Sequence, residues 1–200
     1  MKKIAVIVFL LTVCVAAGRA QESRQDVSLS GTALVEPFIG SSTDVYVHSN
    51  TALGALVSYR YMLTPNSAVE GNFSVTYQNK INYYTNPNHY QVLTRTMEAS
   101  AEYVRSFTFR KYNPFVEAGP GELIFVPIRN SGTTTLDAKQ QMQMAAFYGA
   151  GIAREISPSF DIRAEFRGVV TKVPTFNMTN FATNKWYNIY MPVIGVAYHF

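Results

Sequence analysis

Three residue types are scarce in this chain. Its 200 residues include one cysteine and three histidines, and only 15% carry a formal charge. One cysteine, Cys14, excludes a disulfide framework. His48, His89 and His199 lie far apart and have no cysteine near them, so no metal-ligand spacing exists and no cofactor is expected. A charge content well below the roughly one quarter of ordinary domains is too low for a typical water-facing surface. Beyond residue 20 no run approaches the roughly 18 apolar residues that a spanning helix needs. Phosphate-loop and dinucleotide fingerprints are also missing. Gly119, Gly121, Gly149 and Gly151 fall inside strand patterns, where glycine marks bends or close packing.

The first twenty residues, MKKIAVIVFLLTVCVAAGRA, have the order of a secretory signal peptide. Lys2 and Lys3 form its basic start, Ile4 to Ala17 its apolar core, and Gly18-Arg19-Ala20 a small-x-small cleavage site. Residues 1–20 are therefore expected to be a cleaved leader, 21–26 a short lead-in, and 27–200 one domain. Lys2, Lys3 and Arg19 would leave with the leader, reducing the formal net charge of +4 to +1. The basic balance goes with them, and with it the case for a nucleic-acid partner.

The mature chain alternates at period two. In FDIRAEFRGVV, Phe160, Ile162, Ala164, Phe166, Gly168 and Val170 share one face, while Asp161, Arg163, Glu165 and Arg167 share the other. Seven more segments alternate in the same way: VSLSGTALVE, LGALVSYRY, VEGNFSVTY, TMEASAEYV, PFVEAGPGELIF, QMQMAAFYGAGI and WYNIYMPVIGVAYHF. The register of PFVEAGPGELIF is unclear past Pro120, and a bulge is expected there. TPNS, RKYN and SPS are tight turns. Between them fall longer connections: GSSTDVYVHSN, NKINYYTNPNHY, PIRNSGTTTLDA and PTFNMTNFATNK. Short turns alternating with long loops are the mark of antiparallel hairpins with all tight turns at one end.

Eight such strands behind a signal peptide predict an all-β fold: an eight-stranded antiparallel up-and-down transmembrane β-barrel of the bacterial outer membrane. In lipid every backbone N–H and C=O must be paired within the protein, so a sheet spans only by closing on itself. The apolar face then meets lipid and the polar face the lumen. Tyr59, Tyr61, Tyr77, Tyr103, Trp186, Tyr190 and Tyr198 sit near strand ends on the apolar face, where interfacial girdles belong. A secreted lipocalin-like barrel would need the two faces exchanged.

The inward set contains Glu36, Glu70, Glu98, Glu102, Glu117, Asp161 and Glu165, with Arg60, Arg163 and Arg167. Eight strands leave an interior just wide enough for side chains. Forked guanidinium donors can each hold two carboxylates. These residues are expected to form a network that plugs the lumen; a small-solute pore is the alternative.

The chain ends IYMPVIGVAYHF, with Ile194, Val196, Tyr198 and Phe200 on one face up to the final carboxylate. This resembles the C-terminal signature of bacterial outer-membrane proteins, which implies that the last strand is recognised by the barrel-assembly machinery. The mature chain is similar to the small eight-stranded OmpA/OmpX type, and PFVEAG followed by Gly121 resembles a strand seen in such barrels. The resemblance implies a monomer among outer-membrane lipid and lipopolysaccharide. A few barrels of this size modify lipid A. That chemistry would need a histidine and a serine two apart on a lipid-facing strand with a carboxylate behind them. Here His48 and Ser49 are adjacent in an expected loop, so no catalytic residues are assigned.

Two long loops carry the remaining signal. Residues 78–91 offer Tyr83, Tyr84, His89 and Tyr90; residues 174–186 offer Phe176, Phe181 and Trp186. Tyrosine and asparagine make adaptable contact surfaces. Both loops are candidates for binding a host surface, a glycan or another envelope component, in an envelope-structural or surface-binding protein without catalysis.

Overall fold

The alternation closes into a barrel in the computed structural model, which describes residues 24–40, 45–85, 88–109, 111–128 and 136–200. The expected leader lies outside the described residues. The strands are β1 (Gln25–Leu34), β2 (Ile39–Gly40), β3 (Val45–Ser49), β4 (Ala52–Thr64), β5 (Ser67–Thr85), β6 (Asn88–Ser106), β7 (Tyr112–Pro127), β8 (Gln141–Ser157), β9 (Phe160–Lys172) and β10 (Trp186–His199). They form eight staves, because β2 prolongs β1, and β3 and β4 pair in turn along the single long strand β5. Every neighbour is antiparallel. β1 bonds to β4 on one side and to β10 on the other, so the sheet has no free edge in its closed part. The first strand begins at Gln25, two residues before the expected domain start.

Burial follows the pleat. On β4, Leu53, Val57, Tyr59 and Tyr61 point out while Leu56, Ser58 and Arg60 point in. Leu29 is 66% exposed, Leu53 72% and Ile194 65%. Leucines and isoleucines this bare, repeated around the circumference, make a continuous apolar exterior that belongs in lipid rather than water.

The register departs from the expectation at two places. At Pro120 there is no bulge: β6 and β7 keep one register from Thr94↔Pro127 to Ser106↔Phe115. Lacking an N–H, proline removes one donor, and the ladder simply lapses between Ser100↔Gly121 and Tyr103↔Ala118. A bulge lies instead in the middle of β5, between Thr76↔Thr96 and Asn79↔Thr94, with Gln78 held at φ 59°, and two further shifts, at Met62/Thr64 and Glu155/Ser157, sit beside the tight turns. One extra residue moves every later side chain to the opposite face. Below the bulge Glu70, Asn72, Ser74 and Thr76 face inward; above it Asn79, Ile81 and Tyr83 do.

The second correction concerns the long connections. The described part of residues 78–91, namely 78–85 and 88–91, is strand and not loop. β5 and β6 run as a ladder to Thr85↔Asn88, and β3 adds itself from Val45↔Thr85 to Ser49↔Ile81. At the long-loop end the wall therefore rises as a small sheet made of β2, β3, β5 and β6.

Candidate functional site

The lower lumen, toward the short turns, is ionic. Arg167 on β9 is fully buried and central to it. Its Nη1 lies 2.8 Å from Glu98, its Nη2 pairs with Glu102, and its Nε faces Glu117 at 3.3 Å and Glu165 at 3.8 Å. Glycine makes this reach possible. The register places Glu117 of β7, Gly149 of β8 and Arg167 of β9 in one row. A Cβ on Gly149 would sit 2.7 Å from the Glu117 carboxylate and 3.3 Å from Arg167 Cγ, so only glycine leaves the gap that the pair spans. Hydroxyls and amides support the carboxylates. Asn72 donates to Glu102 at 2.9 Å, Ser100 to Glu102 at 2.7 Å and Ser74 to Glu98 at 2.8 Å. The Arg167 guanidinium also lies 5.5 Å above the Phe147 ring.

A second group fills the mouth. Arg60 pairs with Glu70 and lies 4.8 Å over the Phe115 ring, and Arg163 donates to Asp26 at 2.7 Å. His199 Nε2 approaches Asp161 at 3.0 Å. Between these groups and the turns is a cavity of about 120 Å³. Nine of the ten expected lumen residues thus come together in two adjoining clusters. Glu36 does not join them. It is buried higher up, where Ser49 and Asn79 donate to it. Asp26 was missed because it fell in the expected lead-in, though it is an acid in phase with Ser28 and Ser30.

The upper lumen is apolar. Leu34, Ile81, Val92, Leu123, Phe125, Phe147, Val169 and Ile189 form its core. The segment that follows β9 folds back into it. Phe181, at the end of a short 3₁₀ turn (Thr179–Phe181), stacks on Tyr83 with ring centroids 4.1 Å apart, and Phe176 meets the rings of Tyr83 and Phe125 edge-on. Backbone contacts pin the fold-back. Gln141 Oε1 accepts from the N–H groups of Thr175 and Phe176 at 2.8 Å each, and the Tyr83 hydroxyl donates to the Pro174 carbonyl at 2.6 Å.

This corrects three candidate contact residues. Tyr83, Phe176 and Phe181 are fully buried and cannot touch a partner; Tyr90 is half-buried against Phe181. Tyr84, His89 and Trp186 do point outward. Trp186 packs under the Lys172 ammonium at 5.5 Å, and Tyr77 under Arg95 at 5.0 Å, which marks an upper girdle where aromatic rings give way to basic groups. Tyr61, Phe160 and Tyr198 mark the lower one.

A closed barrel with an apolar outer band, two girdles and a filled lumen is the architecture of one class of envelope protein. A family model for the outer membrane protein beta-barrel domain matches residues 5–200. The chain belongs to that family. It is a bacterial outer-membrane protein; barrels of this kind carry their short turns on the periplasmic side, and by that rule the start of β1 and the end of β10 lie there and the raised sheet faces the exterior. Solved barrels agree in fold. OprG from Pseudomonas aeruginosa superposes with a TM-score of 0.64 at 10% identity, covering 90% of this chain and 97% of that one. Neisserial surface protein A gives 0.61 at 13%, covering 89% and 98%. Ail, the attachment invasion locus protein of Yersinia pestis, solved with the heparin analogue sucrose octasulfate, gives 0.56 at 15%, covering 90% and 100%. No curated protein matches the chain significantly.

Proposed function

We propose that this family member is a sealed, non-catalytic barrel that works at the cell surface through the sheet raised above the membrane. One observation carries the reading: the lumen is filled at both levels. Arg167 and its four carboxylates occupy the lower half, and aromatic and aliphatic side chains occupy the upper half. Eight staves enclose little more than side-chain volume. What remains available for interaction is the outside of the raised wall, where Tyr84 and His89 are exposed. The names of Neisserial surface protein A and of the attachment invasion locus protein, barrels of this shape, support a surface role.

A small-solute pore is the second reading, and one feature favours it. Among the described residues, three of the four non-glycine residues at positive φ, Phe176, Asn177 and Asn184, lie in the fold-back segment. Strained backbone collects where a segment has to move. Planar-bilayer recording separates the two readings. The purified chain is expected to give no stable open channel, and neither is a Phe176→Ala/Phe181→Ala variant, because the Arg167 cluster still fills the lower half. Steady conductance from the unaltered chain would replace the sealed barrel with the pore. For the surface role, replacing Lys80–Leu93 by a two-residue turn is expected to abolish capture of the chain's surface ligand by intact cells. Unchanged capture would reject that role.

A further inference from the structure

The outer face of the raised sheet carries an aromatic row that neither the lumen nor the girdles use. Register brings Gly40 of β2 beside Tyr46 of β3, Tyr46 beside Tyr84 of β5, and Tyr84 beside His89 of β6. Phe38 stacks on Tyr46 at 5.9 Å, and Tyr84 on His89 at 4.4 Å. Phe38 is 63% exposed, Tyr46 43% and Tyr84 42%, so ring surface remains open to solvent. A parallel row of polar groups lies next to it. His48 is beside Asn82 and Asn82 beside Gln91, joined by a 3.0 Å bond from Gln91 Nε2 to Asn82 Oδ1 and a 3.1 Å bond from Asn82 Nδ2 to the His48 carbonyl. Exposed Lys80 and Arg95 stand below, and residues 78–95 contain no aspartate or glutamate.

Two stacked ring pairs side by side, with fixed amides and cations beside them, suit a sugar. A pyranose presents a face of C–H groups that lies on the electron-rich face of an aromatic ring, and its hydroxyls accept and donate at amide and imidazole edges. Lys80 and Arg95, in a stretch (residues 78–95) without aspartate or glutamate, select saccharides that carry phosphate or carboxylate.

Position selects the source. The platform continues the lipid-facing side of the same strands and therefore points sideways. Tyr84 lies seven residues beyond the girdle residue Tyr77, roughly 15 Å higher at the usual strand rise and tilt. At that height a lateral neighbour offers its headgroup and not its acyl chains. We infer that Phe38, Tyr46, Tyr84 and His89 form a docking platform for the acidic sugar headgroup of an adjacent outer-leaflet glycolipid. The inference rests on the surface-binding reading and names the ligand of that surface.

The test uses the folded full-length mature chain in nanodiscs. Three probes are titrated: delipidated core oligosaccharide of a rough-type lipopolysaccharide, lipid A without core sugars, and sucrose octasulfate. The expected result is that Tyr46→Ala/Tyr84→Ala weakens core-oligosaccharide binding about tenfold or more, that Tyr84→Phe stays within about twofold because the ring is kept, and that lipid A binding is unaltered. Both tyrosines point outward, so folding should survive; should the double variant lose its heat-dependent gel shift, Tyr84→Ala alone carries the comparison. Three outcomes overturn the inference: no core-oligosaccharide binding by the native chain, equal binding by native and double variant, or a variant-sensitive preference for sucrose octasulfate, which would move the partner to an opposing surface. If shortening Lys80–Leu93 abolishes ligand capture while the platform variant does not, the sugar assignment alone fails; if neither change matters, the surface role fails with it.

Discussion

Arg167→Ala is expected to destabilise the barrel by about 3–5 kcal/mol, the usual cost of removing one partner from a buried ionic cluster. The figure reflects what stays behind. Glu98, Glu102, Glu117 and Glu165 all face this one guanidinium, and no other cation lies within ion-pairing distance of Glu98, Glu102 or Glu117 among the described residues. Without it, like charges would crowd an interior where repulsion is poorly screened. Denaturant titration in lipid vesicles, read by the gel mobility of folded and unfolded forms, measures the change. The arrangement also predicts its own rescue: Arg167→Met combined with Glu98→Gln, Glu102→Gln and Glu117→Gln should recover most of the loss, because neutral side chains of similar volume then replace every carboxylate that depended on Arg167 alone. A loss below about 1 kcal/mol for Arg167→Ala would mean that water reaches the cluster and solvates it, contrary to its burial.

Gln78→Val is the second large effect. The bulge gives β5 two facing rules, one on each side of residue 78. A β-branched residue is strained at the φ of 59° that the bulge requires; once residue 78 joins the regular pleat instead, Ile81 and Tyr83 turn outward, and Lys80, Asn82 and Tyr84 inward. Tyr83 now stacks on Phe181 and donates to Pro174, and Ile81 belongs to the same apolar core. The flattened strand would therefore bury a lysine against that core and release the fold-back segment. Hydrogen exchange is expected to show lost protection for residues 79–85, 45–49 and 174–182 with β7, β8 and β9 unchanged, and Tyr90 and Phe176 should become accessible to limited proteolysis. Equal protection in both proteins would mean that the ladder re-pairs by another route. Gln78→Gly, which accepts the positive φ more readily, should leave the pattern intact.

What could be read in advance follows from the period-two rule. Strands with extreme faces, such as FDIRAEFRGVV, fix both their class and their orientation, and the inward acids and bases follow by parity. Parity is also where foresight stops. One inserted residue at Gln78 exchanges the fates of Tyr83 and Tyr84, and nothing in NKINYYT distinguishes them beforehand. Proline at 120 looked like a reason for a bulge, but it costs one donor and leaves the count of residues unchanged. PTFNMTNFATNK reads as a surface loop by composition; its two phenylalanines instead fill the upper lumen, because an open barrel mouth lined by Leu123, Phe125 and Ile189 would otherwise stay apolar and empty. Asp26 was obscured by its nearness to the leader.

Enclosure of the charged cluster has a consequence for salinity. Buried pairs are screened far less than exposed ones, so fresh water and brine should leave the centre of the wall equally firm. Lys80, Arg95 and Lys172 stand in solvent on the rim, where their reach shrinks to about 10 Å at 0.1 M salt. The molecule thereby keeps its shape across osmotic extremes while its hold on charged neighbours loosens and tightens with the medium.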